Sequence, residues 1–217
     1  MMTSLFSTFD PTTKFMQMNW MIMISPMIIM PNWFWIKKSR WNMIMKLMEK
    51  KLNSEFSMMT HHKEMLILTI SMFTFIMIMN IMGLFPYIFT ATSHLTVSLS
   101  IALPSWIMMM SYGWMNFTNS MFKHLLPKGT PTPISPMMIL IETTGSLIRP
   151  ISLAVRLTAN MIAGHLLMTL LGNTCSTKTI IMIMPMQIML TAFESAISLI
   201  QAYVLATLVT LYSSEIP

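Results

Sequence analysis

Six polar residues stand where a chain this apolar has few others. Glu142, Arg156, Asn160 and His165 lie in one long hydrophobic tract, and Glu194 and Gln201 lie in the next. Carboxyl and imidazole groups titrate and can hand protons on, while amides hydrogen-bond water. An arginine does not release its proton, so Arg156 can act only as a fixed cation. Placing it in hydrocarbon costs about 2.5–3.5 kcal/mol on insertion scales, which makes such a residue functional by default. The carboxyl and imidazole groups could exchange protons with water, beside the fixed charges of Arg149 and Arg156 in the same tract.

The spacing arranges these groups. At 100° per residue, Glu142, Arg149 and Arg156 recur every seven positions with Asn160 four further on, so all four share one stripe of a helix. His165, nine residues beyond Arg156, falls on the opposite face. In the next tract Gln187, Glu194 and Gln201 again recur by sevens, with Ser198 between them. Each tract thus carries one polar stripe in an apolar wall, and the two stripes are expected to meet. Glu194 has no cation in its own helix, so water or a partner must satisfy it. Gly145 and Gly164 are expected to let neighbouring helices approach closely.

Other chemistries find no support. There is no phosphate-binding glycine loop and no HExxH pattern. Cys175 is alone, which rules out a disulfide framework or a cysteine metal site. No intramembrane histidine pair is present to hold haem or copper, and His61, His62, His94 and His124 fall at span ends or loops where solvation is expected. Asp10 is the sole aspartate and too near the terminus for a triad. No cofactor, metal or catalytic residue is therefore expected.

The elements that must position these groups follow from composition. Only 9% of the 217 residues are charged and 54% are hydrophobic, whereas a soluble domain carries about a quarter charged residues. The membrane class follows. The formal charge of +6 does not point to nucleic acid, because the basic residues sit between apolar tracts, where headgroups and topology account for them. The 31 methionines, many beside isoleucine, stand in for Leu or Ile against lipid. Such a bias fits an AT-rich genome reading extra codons as Met, which points to a mitochondrion.

We expect an all-α polytopic fold in a single membrane domain, 1–217, with about five membrane helices and one surface helix. The segment 15–36 is a first span, broken by Pro26 and Pro31, with no removable signal sequence. Residues 37–63 form an amphipathic surface helix, with Trp41, Ile44, Met45 and Met48 on one face. The segment 65–122 is a helical hairpin of spans 65–85 and 95–122, followed by a proline-rich, non-helical linker, 123–136. Two long tracts, 134–171 and 179–212, close the chain as a second hairpin, 134–212. Thirty-eight helical residues cover roughly 57 Å against a hydrocarbon thickness of ~30 Å. These helices are therefore expected to tilt steeply against a large curved partner.

Seven of the thirteen basic residues lie in 37–63, and Lys123 and Lys128 join them on that side, against Lys14 and Lys178 on the other. That asymmetry puts the N-terminus outside and the surface helix and C-terminus inside. Read from residues alone, a secondary transporter and a structural subunit of a respiratory complex remain open. A transporter would be favoured by a repeated pair of broken helices, which the sequence lacks. A structural subunit would be favoured by tolerance of neutral replacements in the stripes.

The stretch IRPISLAVRLTANMIAGHLLM, followed by FESAISLIQAYVLATLVTLY, closely resembles the subunit a family of mitochondrial F-type, proton-translocating ATP synthases, and MMTSLFSTFDPTT resembles its arthropod members. The likeness covers essentially the whole chain. It implies a stator beside a ring of c subunits, each with a membrane-buried carboxylate that Arg156 faces between two offset half-channels. It assigns His165 and Glu194 to the half-channel from the intermembrane side, Glu142 to the matrix-side one, and Asn160 and Gln201 to the route near the arginine. Arg149 receives no role. The implied place is the mitochondrial inner membrane, with the N-terminus toward the intermembrane space and the C-terminus toward the matrix. Implied partners are the c ring, other membrane-sector and peripheral-stalk subunits, protons, and the lipid bilayer including cardiolipin.

Overall fold

The computed structural model describes residues 5–12, 18–30, 39–60, 63–85, 88–126, 129, 131, 133–175 and 180–214. Among them every regular element is a helix. The helices are α1 (Ser25–Ile29), α2 (Arg40–Ser57), α3 (Lys63–Gly83), α4 (Leu95–Asn116), α5 (Thr118–His124), α6 (Ser135–Asn173) and α7 (Ile180–Ser214). In a bilayer only structures that satisfy their own backbone groups can cross. Helices α3, α4, α6 and α7 are long and apolar enough to do so.

Part of the first expected span, 15–36, lies outside the described residues. Within it a 3-10 turn, Met18–Ile24, runs into the short α1. Pro26 sits in the first turn of α1, where its missing N–H is not needed. The described helix, Met18–Ile29, is shorter than a membrane crossing. The third expected span, 95–122, is divided at Phe117, whose φ of −132° and ψ of 46° leave the helical region. The expected linker is also shorter than read: its first two residues belong to α5 and its last two to α6.

Both closing tracts form continuous helices, through Pro150 and Pro185. At 39 and 35 residues they exceed any simple crossing. Their hydroxyls turn back on the helix: Ser152 Oγ donates to the Arg149 carbonyl (2.9 Å) and Thr158 Oγ1 to that of Val155 (3.0 Å). Polar side chains are thereby tolerated in an apolar medium.

One core joins the bundle. Phe73 and Ile76 of α3 and Met109 of α4 pack with Leu153, Ala154 and Leu157 of α6 and with Ala202, Leu205 and Ala206 of α7. Ala154, Ala202 and Ala206 are wholly buried, so small side chains set close helix approach.

Helix α2 opens with a cap, Ser39 Oγ accepting from the Asn42 amide at 3.3 Å. It docks on the C-terminal half of α7: Phe56 stacks on Tyr203 at 6.3 Å, and the Tyr203 hydroxyl donates to Glu55 Oε2 at 3.5 Å. Of its expected apolar face Met45 is buried, while Trp41, Ile44 and Met48 stay exposed and available to a bilayer surface.

Candidate functional site

Helix α6 carries its polar groups in a fixed order, and α7 runs back beside it. Near the α6 N-terminus Arg149 Nη2 lies 3.6 Å from Glu142 Oε1, and its guanidinium sits 4.9 Å over the ring of Tyr212 near the end of α7. These three residues line a cavity of about 290 Å³ together with His124 and Trp106. Glu142 therefore pairs with Arg149, not with Arg156. Two helical turns suffice for an arginine to reach back along its own stripe, and the arginine without an expected role becomes the partner of the carboxylate.

The C-terminal half of α6 faces different surroundings. A cavity of about 890 Å³ holds His165 on α6 and Gln187, Thr191 and Glu194 on α7, together with residues of the amino-terminal segment. A narrower one of about 170 Å³ shares His165 and Glu194 and continues past Gly164 to Asn160 and Ser198. The α7 stripe reaches α6 at its backbone, Gln201 Nε2 donating to the Arg156 carbonyl at 3.0 Å, while the Arg156 side chain turns to the exposed face.

Glu194 is 8% exposed. Its Oε1, His165 Nε2 and Gln201 Oε1 are buried without a hydrogen-bond partner among the described residues. A buried acceptor or donor left so costs about 1–3 kcal/mol, which makes these groups the candidate functional site of the membrane-spanning part.

The absence of a side chain at Gly164 admits the Glu194 carboxyl, since a Cβ there would lie 3.0 Å from both Cδ and Oε1. Gly145, by contrast, has nothing among the described residues within 4 Å of such a Cβ, so the expected close approach is not found there within them. Alanine at 164 favours helix by about 1 kcal/mol yet displaces the carboxyl. Gly164→Ala is therefore expected to slow modification of the Glu194 carboxyl by an apolar carbodiimide several-fold, with normal recovery of the protein. An unchanged rate would dissociate the glycine from the carboxylate's placement.

Arg156 lines none of these cavities. Its side chain is exposed and, among the described residues, makes no ion pair or side-chain hydrogen bond. It shares an exposed face of α6 with Ser152, Val155, Ala159 and Asn160. Along α6 the order is thus Glu142 and Arg149 at one cavity, then Arg156, then Asn160, Gly164 and His165 at the others. The cavities on either side of Arg156 have no lining residue in common.

Two further residues escaped the sequence reading. Asn80 of α3 is fully buried, and both its amide atoms lack a partner among the described residues. A lone amide in an otherwise apolar span was the signal, because such a group must face protein. His94, expected to be solvated, is half-buried instead, with Nε2 at 3.0 Å from the Phe9 carbonyl. A loop histidine reads as exposed unless the distant segment that receives it is known.

Comparison with known proteins adds family relations. The profile of the family described as ATP synthase A chain matches residues 14–214. Proteins named ATP synthase subunit a are similar along the full length of both chains: 48% identical over 223 residues in Drosophila mauritiana, 47% over 224 in Locusta migratoria and 49% over 225 in Aedes albopictus.

Proposed function

Since the chain belongs to the ATP synthase A chain family, we propose that it is the proton-conducting stator of a mitochondrial ATP synthase, without a catalytic site of its own. In this reading the chain lies in the inner membrane, N-terminus toward the intermembrane space and C-terminus toward the matrix. The long α6 and α7 tilt steeply along a ring of c subunits. The basic residues on and beside α2 support that orientation.

Protons enter through the wide cavity, pass His165 and Glu194, and reach the ring near Asn160 and Gln201. They leave through the cavity of Glu142. Arg156 attracts the ring carboxylate when it is ionised and repels a proton heading straight across. Each charge moved through the full potential gains about 2.3 kcal/mol per 100 mV. Loading at one cavity and unloading at the other makes that gain a directed rotation.

The observation that carries this reading is the bare guanidinium of Arg156 on an exposed face, between cavities that share no lining residue. A face of Ser152, Val155 and Ala159 around it lets another helix come close. Cysteine cross-linking tests this in the intact complex, after Cys175→Ser. Ala159→Cys is expected to capture a small membrane protein present in many copies and bearing one carboxylate. Ala154→Cys, on the buried side of the same helix, is not. Equal capture at both positions, or none at 159, would overturn the docking.

A further inference from the structure

Part of the wall of the wide cavity comes from residues 7–12. Ser7, Phe9, Asp10 and Thr12 line it together with His165 and Glu194. Phe9 binds this stretch to the bundle through both its ring and its carbonyl. The Phe9 ring meets the His165 imidazole edge-on, with centroids 6.4 Å apart and planes at 89°. The Phe9 carbonyl receives a hydrogen bond from His94 Nε2 at 3.0 Å. A carbonyl only accepts, so this contact selects the His94 tautomer with its proton on Nε2.

His94 occupies the position just before α4, where a side chain ordinarily caps the helix, yet it makes no cap bond. Its ring instead completes a triangle with Trp20, at 5.6 Å, and Phe89, at 5.3 Å, which are themselves 5.6 Å apart. The histidine is thus held by two aromatic neighbours while its one donor is committed to a residue 85 positions away. His165 stands where the wide and narrow cavities join, so a group that fixes its ring bears on the passage between them.

We propose that Phe9 and His94 are positioning residues for proton uptake. His94 latches residues 7–12 across the cavity, and the latched Phe9 braces the His165 ring at the junction. The inference rests on the reading of His165 and Glu194 as uptake groups. Its consequence is that the amino-terminal stretch works as a wall of the path, with the latch and the brace acting in series.

The test uses the whole ATP synthase in its membrane, with Cys175→Ser and a reporter Thr169→Cys in the cavity wall. His94→Phe keeps a ring against Trp20 and Phe89 but has no donor; His94→Gln keeps an N–H near the place of Nε2. Labelling of the reporter by a membrane-impermeant maleimide is expected to quicken several-fold in His94→Phe and to return to the parent rate in His94→Gln. With the catalytic head removed, passive proton uptake should fall several-fold in Phe9→Ala and His94→Phe and be restored in His94→Gln.

Parent-like labelling in His94→Phe would overturn the latch, and parent-like uptake in Phe9→Ala would overturn the brace. Recovery of the complex on a native gel checks assembly. Should Phe9→Ala be lost there, Phe9→Leu replaces it, keeping apolar bulk without an aromatic edge. Glu194→Leu is measured in parallel. If it too conducts like the parent, the uptake reading itself fails; if it is slow while the Phe9 and His94 variants are parent-like, only the present inference fails.

Discussion

Arg156→Ala is expected to abolish ATP-coupled proton pumping while the complex still assembles, read as complete loss of dye quenching in vesicles with normal recovery on a native gel. The side chain is exposed and, among the described residues, makes no ion pair or side-chain hydrogen bond that its removal would break, so assembly is expected to survive. What disappears is, among the described residues of α6, the charge between the two cavities. On the proposed reading, the ring carboxylate would then have no cation to draw it into the ionised form, and a proton would have nothing to repel it from the direct route. Passive leak is therefore expected to persist or rise as coupling vanishes. Arg156→Lys should fail in large part as well, because a buried ammonium can lose its proton and lacks the planar fork that pairs with carboxylates. Normal coupling in Arg156→Ala would refute the role outright.

Glu194→Leu has the second largest expected effect. The carboxyl is buried, packs against Gly164 and lies where two cavities join. Leucine fills similar space and removes the only carboxyl on α7 within that passage. A positioned proton-transfer group is typically worth about 10²–10⁴ in rate, so passive uptake after removal of the catalytic head should fall by at least the lower figure. Stability should hold or improve, since a polar atom without a partner gives way to an apolar one. Glu194→Gln keeps the shape and hydrogen bonding but cannot carry the proton in the same way, and should be nearly as slow. Unchanged flux in the leucine variant would remove Glu194 from the path.

Much of this was legible in the residues because hydropathy and helical period are local properties. The long tracts became α6 and α7 within a residue or two of their expected limits. The sevenfold spacing placed Gln201 toward the partner helix, where it bonds the Arg156 carbonyl. Pairings between distant segments were not legible. Arg149 shares its stripe with both Glu142 and Arg156; the choice of Glu142 is accompanied by the Tyr212 ring, more than sixty positions away.

His94 looked like a solvated loop residue because its acceptor is a backbone carbonyl in the opening stretch, and a carbonyl leaves no trace in residue type. Asn80 passed unnoticed for the opposite reason: one amide in an apolar span hardly changes its hydropathy, although its burial is complete. The division at Phe117 falls in a polar patch, with Asn116 before it and Thr118, Asn119 and Ser120 after it, which a reading of hydropathy over the longer segment passed over.

The most direct measurement is a density map of the assembled ATP synthase with side chains resolved in the membrane. It should show the Arg156 guanidinium turned toward the ring, a ring carboxylate within reach of it, and water-filled spaces beside Glu194 and Glu142 that stop short of each other. A guanidinium turned toward lipid headgroups with no acidic neighbour, or one unbroken water column past Arg156, would contradict it.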